Sequence, residues 1–260
     1  HFLKIFLRKM FLFLFFFCYG ASARGADPEC QTKVTGTSVK DKTAKKTPEF
    51  RLVTYMPPKR GTPGGRIGGG TRGKGEGFPV ISVLAPDHTG LTTKAQPELY
   101  CYVSNPTNKP IEFTLNLEQE GKTIAHKGIK GVPEEGIWRL SLSDLGITLS
   151  PDTQYTWFVT MVLDPDQPST DVFSGGAIMR VNPSDILQKK LAGAKEMDIP
   201  AIYAEEGLWY EALASLSRLI DEDPENKALH LQRASLLEQA QLERAAVFDR
   251  KAAGGVAPLQ

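Results

Sequence analysis

The sequence predicts a β sandwich followed by a small helical tail, which together make a mixed β-plus-α fold. Short apolar runs recur over residues 78–182 between turn signals such as Asn105-Pro106 and Ser150-Pro151. About seven to eight short strands with turns every 8 to 12 residues are typical of an antiparallel sandwich. After Pro183 the apolar residues recur at helical spacing instead. An apolar share of 41% and a charged share of 23% allow a packed core.

The most specific part of the predicted sandwich is the segment LSPDTQYTWFV at residues 149–159. It is typical of the corner between strands E and F in immunoglobulin-like and fibronectin-like domains. The hydroxyl of Tyr155 is expected to bond the backbone a few residues upstream, and Trp157 is expected to lie in the core. Both residues are therefore predicted to be structural.

The helical tail is predicted to begin at Ser184, which can cap a helix through Ala194. Residues at the spacing of a tetratricopeptide helix hairpin follow. They are Tyr203, Gly207, Trp209, Ala212 and Pro224. The small residues let two helices approach closely, and the proline ends the second helix. Ala228 to Phe248 predicts one further amphipathic helix. Because this is little more than one repeat, the tail is expected to lean on the sandwich or on a partner protein.

The N-terminus follows the pattern of a secretory signal peptide. Its basic residues, apolar run and small residues stand in the expected order, at Lys4, Arg8 and Lys9, at Met10 to Tyr19, and at Ala21 to Ala23. The apolar run is shorter than the roughly twenty residues of a spanning helix. We therefore expect a cleaved, periplasmic or secreted protein. A lipoprotein anchored at Cys18 is the weaker alternative, since bulky Phe15 to Phe17 precede it.

Charge is unevenly distributed, although the formal net charge is only +1. From Arg24 to Gly75 there are 12 Lys/Arg against 4 Asp/Glu, and from Glu196 to Asp249 there are 4 against 12. The balanced total gives no reason to expect nucleic acid as a partner. The predicted segments are a signal peptide (1–26), a disordered basic linker (27–49), a strand with a Gly/Pro-rich basic arm (50–77), the sandwich (78–182), a tetratricopeptide-like hairpin with an extra helix (183–250) and a flexible tail (251–260).

The basic arm is expected to begin with a strand, because FRLVTYM at residues 50–56 alternates apolar and polar side chains. The glycine-rich stretch after it carries four cations, which belong either to a flexible arm or to a loop that binds an anion or a partner. These cations are Arg60, Arg66, Arg72 and Lys74. Gly68-x-Gly70-x-x-Gly73 resembles a nucleotide motif, but the residues after it are strand-like and supply no helix N-terminus for a phosphate. No nucleotide is expected.

Three carboxylates in the segment DPDQPSTD, those of Asp164, Asp166 and Asp171, are candidates for calcium binding. The segment lacks the turn glycine and the bidentate glutamate of established calcium loops. Pro165 and Pro168 favour a rigid connection between strands. Calcium is therefore the weaker interpretation, and no cofactor is expected.

Two cysteines follow the predicted cleavage site, Cys30 and Cys101. Export makes a disulfide between them chemically possible. The alternative is a buried Cys101 and a solvated Cys30. No cysteine and histidine spacing resembles a zinc site.

The sequence favours no catalytic arrangement. The histidines after the signal peptide are scattered, and no serine stands in a Gly-x-Ser-x-Gly motif. A carboxylate pair for glycoside cleavage would have to come from Glu112, Glu118, Glu134 and Glu135. Three tryptophans, Trp138, Trp157 and Trp209, form either a sugar-stacking platform or parts of the core, and their apolar surroundings favour the core.

Four motifs occur in a fixed order: RGTPGGRIGGGTRG, GLTTKAQPELYCYV, YTWFVTMVLDPDQPSTDVFSGGAIMRV and YAEEGLWYEALASL. In these the chain resembles the mainly cyanobacterial family called domain of unknown function 928, over roughly residues 50–242. The resemblance implies an exported sandwich with a helical tail, and it implies no activity. Leu163 and Ala177 depart from the cysteine and tryptophan typical of the family, so no contact that depends on those two is expected here.

These observations together favour an exported, non-catalytic interaction module. The helical tail is expected to dock a protein partner, and the basic arm to contact an acidic polysaccharide or another anionic surface. The alternatives are an envelope carbohydrate-binding module, which requires an exposed row of aromatic side chains, and a carbohydrate-active hydrolase, which requires two carboxylates about 5 to 10 Å apart in a cleft.

Overall fold

A computed structural model of the protein describes residues 53–58, 65–69, 79–129 and 134–255. The described residues all belong to one compact unit. Several predictions lie outside the described residues. They are the signal peptide, the linker, Cys30, the cations Arg60, Arg72 and Lys74, and the tail beyond residue 255.

The described residues form nine strands and five α-helices. The strands are β1 Ile67–Gly69, β2 Ile81–Val83, β3 Gly90–Thr92, β4 Glu98–Val103, β5 Ile111–Leu117, β6 Lys122–Ile129, β7 Gly136–Ser141, β8 Gln154–Met161 and β9 Val172–Arg180. The helices are α1 Asp185–Ala192, α2 Ile199–Glu205, α3 Trp209–Glu222, α4 Lys227–Gln239 and α5 Glu243–Ala252. The predicted mixed β-plus-α class is confirmed.

The strands form two sheets. The larger has the order β1-β9-β8-β5-β6, with β3 also paired to β9, and the smaller has the order β2-β4-β7. All pairs are antiparallel except β3 with β9. Alternation explains which faces meet: Ile111, Phe113 and Leu115 of β5 are fully buried, whereas Glu112 and Thr114 between them are not.

The corner before β8 fixes the start of that strand. The hydroxyl of Tyr155 accepts a hydrogen bond from the N–H of Ser150 at 3.1 Å. Trp157 is fully buried two residues later. A buried tyrosine thus satisfies a backbone donor at the turn, so β8 enters the core at a defined position.

The helices begin and end at recognisable signals. Ser184 caps α1, its hydroxyl accepting the N–H of Leu187 at 3.1 Å. The single helix predicted over Ala228 to Phe248 is wrong, because α4 ends at Gln239 and α5 begins at Glu243. Between them Gln241 has φ 57°, a left-handed conformation that ends a helix. No helix in the described part of the chain is long and apolar enough to cross a membrane.

The remaining residues of the predicted hairpin lie at its turns and its interface. Gly207 joins α2 to α3 with φ 74°, and a Cβ there would lie 2.9 Å from the carbonyl oxygen of Met56. Ala212 is fully buried, and Pro224 follows the end of α3 at Glu222.

Residues 53–58, which we call the strap, form no strand, contrary to the prediction over residues 53–56; the first part of that prediction, residues 50–52, lies outside the described residues. Their alternation is real, since Val53 and Tyr55 are buried and Thr54 is exposed. The strap nevertheless bonds to helices: the N–H of Met56 donates to the carbonyl of Ala204 at 3.0 Å. Burial of every second side chain identifies an extended segment, but it does not show whether that segment bonds to a strand or to a helix.

Helix α3 brings the tail into the core of the sheets. The indole N–H of Trp209 donates to the carbonyl of Leu84 at 2.8 Å. The hydroxyl of Tyr210 donates to the carbonyl of Ala177 and accepts from the indole N–H of Trp157, both at 3.0 Å. All three aromatic side chains are buried in one cluster that strands and helices share. The helices therefore pack against the sheets through this shared cluster.

Candidate functional site

A cleft of about 430 Å³ opens between the two sheets and the start of α5. We call it the junction cleft. Its walls come from the two edge strands β1 and β2, from β9, and from the α4–α5 turn. The main lining residues are Arg66, Ile81, Val172, Phe173, Leu242 and Arg244.

The cleft exists because both sheets end here. The outer edges of β1 and β2 pair with no other strand among the described residues. One hydrogen bond links the sheets at the back of the cleft, from the N–H of Val83 to the hydroxyl of Ser174 at 3.0 Å. Edge strands carry backbone donors and acceptors that another extended chain can pair with.

Arg66 holds one side of the cleft together. Its guanidinium donates to the carbonyls of Ala240 at 2.8 Å and Gln241 at 3.2 Å, and more weakly to that of Ala85 at 3.4 Å. Burial lowers the pKa of Arg66, and nearby Asp87 acts in the opposite direction. A cation at the last carbonyls of α4 is stabilising there. The one described member of the predicted cation set is therefore committed to the fold, and its guanidinium is not free for an external anion.

Arg244, in the first turn of α5, supplies the cleft with an exposed positive charge. None of the described residues makes a hydrogen bond or ion pair with its guanidinium. Burial raises the pKa of Tyr102 to about 12, helped by the hydrogen bond from its hydroxyl to Glu135 at 2.9 Å, while Arg244 acts in the opposite direction. Sequence reasoning missed Arg244, because it stands in the acidic segment and carries no motif.

The chemistry of the cleft suits an extended chain. Its floor is apolar, with Ile81 and Val172 buried and Phe173 still 39% exposed. At the rim, Arg244 and the positive end of α5 favour negative charge, and the carboxylate of Glu243 beside Arg244 opposes it. An apolar floor, strand edges that pair with no other described strand, and an exposed arginine at the rim together fit a peptide that carries carboxylates.

The three candidate calcium ligands do not come together. A side-chain oxygen of Asp171 accepts the N–H of Leu163 at 3.1 Å, and one of Asp164 accepts the N–H of Asp166 at 3.0 Å. No group of three or more metal-ligating side chains is found in the described part of the chain. The three carboxylates form no ligand group, and those of Asp164 and Asp171 instead accept backbone N–H groups of the loop before β9.

The three tryptophans do not form an exposed row. Trp157 and Trp209 are fully buried, and Trp138 is partly buried against the core. The alternative of a sugar-stacking platform is therefore wrong, and the favoured core packing is confirmed for Trp157 and Trp209. Cys101 is buried and free, and burial raises the pKa of its thiol.

The three described histidines lie in separate places. His88 lies between Tyr55 and Asp87, and His126 lies on β6. His230 belongs to a buried network in which Asp249 accepts hydrogen bonds from its ring at 3.0 Å and from Arg233 at 2.7 Å and 2.8 Å. This network joins α4 to α5, and its charged groups pair with one another inside the fold.

The fold and the cleft define a mixed β-plus-α protein in which two sheets and five described helices share one core. The chain belongs to the family described as Domain of Unknown Function (DUF928), whose model matches residues 67–248. No curated protein matches the sequence. A crystal structure of a multi-domain immunophilin from Arabidopsis thaliana is similar over 61% of this chain and 94% of its own, with 7% identity and a TM-score of 0.22.

Proposed function

We propose that this protein is an exported, non-catalytic module that binds a partner protein in the junction cleft. The observation that carries the proposal is the cleft itself: an apolar floor between two strand edges that pair with no other described strand, with Arg244 at its rim, where no described residue pairs with its charge. The partner is expected to offer an extended segment with apolar and acidic side chains, since backbone pairing gives affinity and the side chains give specificity.

The arrangement of the sheets supports an immunoglobulin-like assignment. Strands β9, β8, β5 and β6 correspond in order to strands G, F, C and C′ of variable-type domains, and β2, β4 and β7 to strands A, B and E. Domains of this class commonly present binding sites on a stable sandwich.

The turns of the tail support a tetratricopeptide-like assignment. Gly207 and Gln241 both have positive φ, and they lie 34 residues apart, which is the tetratricopeptide period. The residues after them, Leu208 and Leu242, donate their N–H groups to Tyr203 and Leu237 in the same way, at 2.9 Å and 3.0 Å. Two such hairpins commonly serve protein binding.

Fluorescence anisotropy with two labelled peptides tests the proposal on the full chain. One peptide alternates valine with glutamate, and the other alternates valine with lysine. We expect saturable binding of the acidic peptide only, weakened by salt because exposed charges are screened. Arg244→Glu should reduce the affinity by about tenfold or more, since it places like charges together.

Lys251→Glu is the matched control, because it makes the same charge change at the opposite end of α5. It should leave the affinity within about twofold of the parent, as expected for a remote exposed charge. Equal losses in both variants, or tighter binding of an acidic polysaccharide than of the peptide, would contradict a peptide site in the cleft.

A further inference from the structure

The buried contact between α4 and α5 contains a histidine whose two ring nitrogens both face acceptors. Nδ1 of His230 lies 3.0 Å from Oδ1 of Asp249, and Nε2 lies 2.9 Å from the carbonyl oxygen of Pro224. Only 7% of His230 is exposed, so the ring cannot exchange these partners freely for solvent. A backbone carbonyl has no hydrogen to donate. The bond to Pro224 therefore requires a proton on Nε2.

The carboxyl group of Asp249 also acts as an acceptor towards the ring, because Arg233 favours its charged form. The guanidinium of Arg233 donates to Oδ1 at 2.7 Å and to Oδ2 at 2.8 Å. Such a bidentate contact with a cation favours a carboxylate over a carboxylic acid. A carboxylate accepts hydrogen bonds and donates none, so Nδ1 carries a proton as well. With both nitrogens protonated, the ring is an imidazolium cation.

The groups around the ring come from every element that packs on it. Helix α5 supplies Asp249, and α4 supplies Arg233. Helix α3 supplies the neutral hydroxyl of Ser217, which accepts from Arg233 at 3.0 Å. The turn before α4 carries two exposed acids, Asp223 and Glu225. Burial and the arginine disfavour a charged ring, whereas the two direct bonds and the acids favour it.

We propose that His230 is a proton-dependent joint between Pro224 of the α3–α4 turn and Asp249 of α5, which holds both while the ring is doubly protonated and releases one when it loses a proton. Neutral imidazole has a single N–H, so it can serve only one of the two acceptors. The carboxylate is the stronger acceptor, so the bond to Pro224 is the one that is lost. The pH thus regulates how firmly the last two helices hold the turn.

The proton is linked to folding with a definite sign. Histidines of an unfolded chain lose their proton near pH 6.5. The folded ring makes two bonds that both require its proton. The stability from the joint is therefore complete below about pH 6, and it is lost as the pH rises and folded His230 gives up its proton.

Long-range ¹H–¹⁵N NMR of the parent chain, recorded from about pH 5 to about pH 9, tests the joint, because it distinguishes protonated from bare ring nitrogens. His126 is the internal control, since it lies on β6 with its side chain 56% exposed. We expect His230 to keep both N–H groups to a higher pH than His126 does. Loss of the second proton from His230 at or below the pH at which His126 loses it would overturn the proposal.

The variant His230→Gln removes the titrating ring and keeps a polar side chain at that position. From about pH 6 to about pH 8.5 the unfolding equilibrium constant of the parent should rise by about tenfold or more, because a bond to a charged group is lost. His126→Gln should retain this change, and His230→Gln should lack most of it. An unchanged pH dependence in His230→Gln would contradict the joint. If that variant does not fold, the NMR titration of the parent decides alone. No peptide is used, so the outcome is independent of the junction cleft.

Discussion

The helical tail meets the sheets in two places that differ in character. At α3, Trp209 and Tyr210 are buried to 0% and 1% exposure and satisfy their polar atoms on Leu84, Ala177 and Trp157. At α5, the first turn faces the open junction cleft, where no described residue pairs with Arg244. One contact is closed by aromatic packing and hydrogen bonds, and the other leaves apolar and charged groups accessible.

The difference teaches which contact serves the fold and which is available to a ligand. Buried polar groups with complete partners make a contact rigid, and removing one leaves its partner unsatisfied. An open cleft with an accessible apolar floor gains stability only when something fills it. We therefore expect mutations at α3 to change stability and mutations at the α5 rim to change binding.

The largest effect is expected from Trp209→Ala. It removes a fully buried side chain whose indole N–H bonds the carbonyl of Leu84 and whose ring packs on Tyr55, and such truncations cost about 3 to 5 kcal/mol. Chemical denaturation of the full chain measures the loss. Trp138→Ala, at a partly buried position, is the control and should cost less. Similar losses for both variants would mean that the packing of Trp209 contributes no more to stability than that of a partly buried tryptophan.

High pH should destabilise the fold, because the buried tyrosines ionise less readily in the folded state than in the unfolded state. Burial raises the pKa of Tyr210, which lies where α3 packs on the sheets. Burial also raises the pKa of Tyr102, near the cleft, to about 12. The unfolded chain titrates near pH 10, so the folded state holds these protons more tightly. The stability that these two tyrosines contribute should be fully present below about pH 10, and it should be lost as the pH rises towards 12. Melting curves and tyrosinate absorbance against pH measure this, and tyrosinate formation at pH 10 without unfolding would contradict it.

A smaller loss is expected from Tyr210→Phe, which keeps the ring and removes only the hydroxyl. The indole N–H of Trp157 and the carbonyl of Ala177 then lose their partner inside the core, at a cost of about 1 to 3 kcal/mol. Tyr203→Phe is the matched control, because Tyr203 is only partly buried. Equal stabilities of the two variants would show that the hydroxyl of Tyr210 is not structural.

The sequence contained more information about the sheets than about the tail. Alternation and turn residues identify strands such as β5 and β8, because each buries one face. The break between α4 and α5 was missed, since Gln241 occupies a left-handed position where glycine is the usual signal. Its 34-residue spacing from Gly207 is the pattern that could have revealed it.

The candidate site was less predictable, because tertiary contacts decide which polar groups stay free. Arg66 stands in a basic stretch but bonds the end of α4, more than 170 residues away in sequence. Arg244 stands in an acidic segment but faces the cleft. The strap alternates as a strand does, yet Gln239 of a helix binds its backbone. None of these pairings leaves a local pattern.

The smallest stability effects are expected from the two cleft arginines, and they should differ. Arg66→Ala removes the donor from the last carbonyls of α4 and should cost about 1 kcal/mol. Arg244→Ala removes an exposed charge without a described partner and should stay within about 0.5 kcal/mol of the parent. Chemical denaturation measures both, and a larger loss for Arg244→Ala would reverse the assignment.

Amide hydrogen exchange of the full chain, with and without the acidic peptide, tests the central contrast most directly. We predict that bound peptide slows exchange in β2, in residues 172–174 and in the first turn of α5, and leaves the first turn of α3 unchanged. Exchange that is unaltered around the cleft at saturating peptide, or slowed mainly around α3, would contradict the assignment of binding to the junction cleft.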